Sequence, residues 1–122
     1  MNVYIAKEFA RFCKVERIPA ERLVAAFHEI AAGKFDASLG SEVFKQRIAR
    51  SGAGKSGGYR TIIFYRNEHR AIFAHGFAKS EQDNLSREDL KGLREAAKLA
   101  LNFDDQFVAD LVLKGLWLEL DI

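Results

Sequence analysis

The chain has 122 residues, 48% hydrophobic and 30% charged, with a net charge of +2. That balance suits one soluble domain over residues 1–122 and excludes a disordered chain, which lacks the apolar side chains to fill a core. No apolar run approaches the roughly 20 residues of a membrane span and the N-terminus does not read as a secretory signal, so a cytoplasmic protein without membrane contact is expected.

In chain order, Val3 to Ile5 reads as a short strand. Phe9, Phe12 and Cys13 then fall at helical spacing, predicting a helix over about Lys7 to Val15 with the thiol among its apolar neighbours. Pro19 suits the first turn of a second helix, in which Leu23, Phe27 and Ile30 recur at i, i+4 and i+7 before Gly33 ends it. These two helices read as a hairpin, and Gly33 to Ser41 as a loop. Three strands follow over Val43 to Arg50, Tyr59 to Arg66 and Arg70 to Ala78. A glycine-rich turn joins the first two and Asn67-Glu68-His69 the last two, as in a β-meander. Ser86 with Asp89 resembles a capping box opening a helix that carries Leu90, Leu93, Ala97 and Leu101. A further helix from Asp104 or Asp105 to Lys114, with Gly115 past its end, leads to a last strand over Leu116 to Leu120. The predicted fold is α+β, with helices against an antiparallel sheet.

Charge is spread unevenly over these elements. Lys45 to Lys79 holds eight basic residues (Lys45, Arg47, Arg50, Lys55, Arg60, Arg66, Arg70, Lys79) against one acid, Glu68, while the rest of the chain holds 11 basic and 16 acidic residues. A block of +7 in a remainder of −5 points to a polyanionic partner. Strand alternation puts Lys45 and Arg47 on one face and Phe44, Gln46 and Ile48 on the other, assigned to the core. In the next strand Arg60 shares a face with Ile62, Phe64 and Arg66. If Arg60 meets Lys45 and Arg47 across the ladder, three cations converge on an exposed patch, which like-charge repulsion disfavours unless an anion sits among them.

The turn itself, GAGKSGGYR, is not a nucleotide loop. That pattern needs a glycine five residues before Gly54-Lys55-Ser56, where Ala49 stands, and an apolar strand in place of Lys45-Gln46-Arg47-Ile48. One cysteine and three scattered histidines do not build a standard zinc site, so no metal or other cofactor is expected.

The runs LGSEVFKQRIARSGAGKSGGYRTIIFYR and AIFAHGFAKSEQDNLSREDLKGL, from Leu39 to Leu93, resemble the RelE/ParE superfamily of bacterial toxins, in the branch near HigB. The resemblance implies a small microbial-RNase-like α+β fold, with an N-terminal helical hairpin packed on a twisted antiparallel sheet and helices after it. It also implies a toxin of a type II toxin-antitoxin module that cuts messenger RNA on the ribosome and is held by an antitoxin, here a helix-turn-helix HigA-like protein. Lys45, Arg47 and Arg60 match the family's basic positions around the turn, Arg50 matches the basic position closing the first strand, and Lys79 falls near a later one. The family's tyrosine or histidine beyond that point has no counterpart in Glu81 to Ser86.

The implied chemistry is attack of a ribose 2′-hydroxyl on the neighbouring phosphate, with Arg60, Lys45 and Arg47 holding its oxygens. Arg50, Lys55, Arg66 and Lys79 would contact RNA. His75 is the candidate base, since imidazole titrates nearest neutral pH. The strand face it shares with Phe73 and Phe77 points instead to the core, and both readings stand. His28 and His69 carry no expected role, and Tyr59 reaches the site only if the turn twists it round. Two other functions share these features: a ParE-like gyrase-binding toxin without nuclease activity, and a noncatalytic nucleic-acid-binding module.

Overall fold

A computed structural model describes residues 1–49, 58–78 and 85–122. The elements run β1 (Asn2–Ala6), α1 (Lys7–Glu16), α2 (Ala20–Ala31), β2 (Ala37–Ser38), β3 (Val43–Ile48), β4 (Tyr59–Arg66), β5 (Arg70–Ala78), α3 (Arg87–Asn102), α4 (Asp105–Leu113) and β6 (Trp117–Glu119). The fold is α+β, as the sequence predicts. Pro19 stands one residue earlier than predicted, as the N-cap of α2 in extended conformation. The stretch expected to be all loop contains β2, which pairs with β3 through Ala37↔Lys45 and Ser38↔Phe44.

The sheet has six strands in the order β2-β3-β4-β5-β1-β6. Its β3-β4-β5 centre is the predicted antiparallel meander, but the sheet is not wholly antiparallel. β1 lies parallel to β5, with Val3 opposite Ala71 and Ile5 opposite Phe73, and β6 adds antiparallel to β1. A strand that returns beside one 68 positions later leaves no local signature.

Helices cover both faces. On one side α1 and α2 bury Phe9, Cys13, Leu23 and Phe27 against Ile48, Tyr59, Ile63 and Phe73; on the other Ala97, Leu101, Val108 and Trp117 pack with Val43, Ile62, Phe64 and Phe77. Two-sided burial explains why β4 is buried continuously from Tyr59 to Tyr65 instead of alternating. Gly76 lets α1 approach closely, since a Cβ there would lie 2.7 Å from the rings of Phe9 and Phe12.

The register of β4 on β5 shifts once. Ile62 pairs with His75 and Ile63 with Phe73, leaving Ala74 as an extra residue in a β-bulge. The bulge reverses the facing of β5 from that point on.

α3 opens with the capping box expected at Ser86, whose side chain accepts from the Asp89 N–H while the Asp89 carboxylate accepts from the Ser86 N–H. Its last turn has no basic residue of its own. The β4–β5 turn supplies the donors instead: Arg70 is buried and donates to the carbonyls of Ala100 and Phe103, both at 2.9 Å. Arg66 reaches the Leu101 carbonyl at 3.3 Å, and a ring nitrogen of His69 lies 2.9 Å from the same oxygen. Positive charge at a helix C-terminus is favourable, and here it ties α3 to the sheet.

Candidate active site

Pairing of β3 with β4 sets Arg47 directly opposite Arg60 and Lys45 opposite Ile62. Paired residues project to the same side of a sheet, so Lys45, Arg47 and Arg60 share the face that α3 covers further along. The common face of the three cations expected from strand alternation is therefore present. Arg60 differs from expectation in its burial: only 7% of it is exposed, and its Nη1 is buried with no hydrogen-bond partner among the described residues. A buried guanidinium N–H without an acceptor is a standing free-energy cost.

The other two cations are placed differently. Lys45 is half-buried. Arg47 is partnered through its Nε, 3.1 Å from Oδ2 of Asp36. Asp36 is itself positioned by the sheet: its N–H donates to the Lys45 carbonyl at 3.1 Å and to Oε1 of Gln46 at 3.1 Å. Gln46, 1% exposed, completes the brace by donating to the Lys34 carbonyl. A carboxylate on Nε leaves the outer edge of the Arg47 fork for a second acceptor. Sequence reading missed Asp36, although it is the one acid between Glu29 and Glu42.

His75 lies on the same face of the sheet as Arg60 and not in the buried core. The regular alternation that groups it with Phe73 fails at the Ala74 bulge, which leaves Phe73 against α1 and turns His75 and Phe77 to the opposite face. His75 is exposed there, beside Phe77 at 5.8 Å between ring centroids. Since Arg60 pairs with Phe77 and Ile62 with His75, Arg60 and His75 are diagonal neighbours on one face.

Arg66 is not brought to the cluster. It lies six residues along β4 from Arg60, about 20 Å away, in a two-pronged pair with Glu42: Nε to Oε2 at 2.9 Å and Nη2 to Oε1 at 2.8 Å. These hydrogen bonds hold the Glu42 carboxyl below the ordinary range for its type. Arg50, Lys55 and Lys79 lie outside the described residues, as does most of the GAGKSGGYR turn. Tyr59 is on the opposite face, 5% exposed, with its ring edge-on to Phe12. Cys13 is buried, and desolvation pushes its thiol up to about 11. His28 is exposed on α2. Among the described residues no group of three or more His, Cys, Asp or Glu is placed to hold a metal ion, and no helix is long and apolar enough to cross a membrane.

A family model described as the RelE toxin of the RelE / RelB toxin-antitoxin system matches residues 1–120. The chain belongs to the RelE toxin family. Membership over nearly the whole length implies an antitoxin partner and agrees with the α+β fold. No curated protein matches the chain. In this RelE-family member Lys45, Arg47, Arg60 and His75 lie on the face built from β3, β4 and the bulged half of β5.

Proposed function

We propose that this chain is a HigB-like toxin that cleaves messenger RNA on the ribosome in the cytoplasm and is silenced by a helix-turn-helix antitoxin. The observation that carries the reading is Arg60: a buried guanidinium whose Nη1 has no partner among the described residues, set opposite Arg47 and diagonal to Lys45. Such a cluster is poorly satisfied alone and well satisfied by an anion with several oxygens. An RNA phosphate meets that need, and its charge grows along the reaction.

Cleavage proceeds by attack of the ribose 2′-hydroxyl oxygen on the adjacent phosphorus, expulsion of the 5′-oxygen of the next nucleotide, and formation of a 2′,3′-cyclic phosphate. Arg60, Arg47 and Lys45 hold the phosphate oxygens, and a fixed donor of this kind is worth about 3 kcal/mol in the transition state. His75, exposed beside the cluster, takes the 2′-hydroxyl proton as general base. Arg50, Lys55 and Lys79 extend the contact along RNA, while Arg66 serves the fold through Glu42 and α3.

The test is cleavage of a message in stalled ribosomes with and without a single 2′-deoxy substitution at the cut nucleotide. Cleavage should stop with the substitution, persist under EDTA mild enough to leave ribosomes intact, and leave cyclic phosphate ends; normal cutting of the 2′-deoxy message rejects the mechanism. Induction in cells should arrest translation without DNA damage, which separates this reading from a gyrase poison. Mapped 5′ ends separate it from a noncatalytic binder.

A further inference from the structure

The face that carries Arg60 continues past His75 into a groove of about 550 Å³ between β5 and α3, walled by Phe64, Ala74, Leu85 and Leu93. A space of this size is that of a small-molecule site. Because of the bulge, the successive residues Ala74 and His75 both line it. On the α3 side stands Gly92, where an added Cβ would meet nothing within 4 Å among the described residues. Glycine within a helix is unfavourable relative to alanine, and no close packing accounts for it here; its effect is to keep the groove open.

The polar groups of the groove select what can enter. Glu88 and Asp89, on the first turn of α3, line it alongside His75. One oxygen of Asp89 accepts from the Ser86 N–H, 3.3 Å away, and Glu88 is exposed. Ionised carboxylates only accept hydrogen bonds, so they repel a phosphate and welcome a neutral group carrying N–H donors. The cations a short step away on the same face do the reverse. A ligand that is anionic at one end and flat, neutral and N–H-bearing at the other satisfies both ends together.

We propose that this groove is a nucleobase subsite, seating the base of a nucleotide that flanks the phosphate held by Arg60, Arg47 and Lys45. The base lies against the imidazole of His75 and the apolar wall, and its N–H groups reach Glu88. Guanine presents a ring N–H and an amino group side by side to one carboxylate, so it is favoured over uracil, which has a single ring N–H. The inference rests on the RNA-cleaving reading for its substrate, but it is tested by binding alone.

The purified chain is titrated with 3′-GMP, 3′-UMP and inorganic phosphate while amide NMR shifts are followed. 3′-GMP should bind about tenfold tighter than phosphate, within the range of base stacking on a ring, and should move the amides of Gly92 and Ala96. Gly92→Leu, which fills the groove, should remove that advantage and leave phosphate affinity unchanged; Gly92→Ala should keep both. Glu88→Gln should narrow the preference for 3′-GMP over 3′-UMP. Equal affinity of the wild-type chain for 3′-GMP and phosphate overturns the proposal, even if RNA is cut. Binding of 3′-GMP in the groove by a chain that cuts no RNA leaves the subsite standing and sinks the nuclease reading. If Gly92→Leu weakens antitoxin binding while 3′-GMP affinity is unaltered, the groove belongs to the protein partner and the proposal fails.

Discussion

Replacing Arg60 by methionine should make the protein more stable and less active. The guanidinium is 7% exposed, its Nη1 has no acceptor among the described residues, and Arg47 stands directly opposite on the neighbouring strand. A buried unsatisfied donor costs about 1–3 kcal/mol, and like charges facing across a ladder add to this. Methionine keeps much of the apolar stem and length while deleting the charge, as when buried ionic groups give way to apolar ones of similar volume. We expect a gain of about 2 kcal/mol, which for a chain of this size raises Tm by about 8 °C. Over the same change the transition state loses a fixed donor, and cleavage should fall about 10²–10³-fold. Thermal denaturation by circular dichroism, with and without inorganic phosphate, reads both sides. Phosphate should raise the Tm of the wild-type chain and leave Arg60→Met unmoved, since only a ligand bound to the folded state stabilises it. A variant that melts below the wild-type chain, with an undiminished phosphate response, would refute the reasoning and make Arg60 a structural donor.

Arg70→Ala should lower stability by about 3 kcal/mol, because it leaves the carbonyls of Ala100 and Phe103 without their buried donor; urea denaturation measures the loss, and amide exchange should rise first at the end of α3. Gly76→Ala should cost about 1–3 kcal/mol by overpacking, as its Cβ would lie 2.7 Å from the Phe9 and Phe12 rings; an unchanged Tm would show that α1 shifts freely. Cys13 should resist alkylation in the native chain at neutral pH and react on unfolding. Its thiol titrates at about 11 instead of 9.0 because of burial, so the folded state holds the proton more tightly. Its contribution to stability is full below pH 9 and is lost as pH rises towards 11, and Cys13→Ala should flatten that part of the stability profile.

Local chemistry settled much of this molecule. Helical spacing of Leu23, Phe27 and Ile30, the Ser86 and Asp89 capping box, and the turn residues around Asn67 are short-range signals, so α2, α3 and the β4–β5 turn were legible in the sequence. The common face of Lys45 and Arg47 was legible for the same reason, because strand alternation needs no partner to define it. Only the tertiary structure decided what depends on a partner. The bulge at Ala74 exists in the pairing with β4, and it moved His75 from a face shared with Phe73 to one shared with Arg60. The parallel place of β1 depends on residues 68 positions away. Asp36 became the brace of Arg47 because Gln46 folds the chain before β2 back on β3. Arg60 read as an exposed cation because side-chain type carries no record of what will cover it. Burial is a property of the assembled face, and here it turned a surface charge into an unsatisfied one.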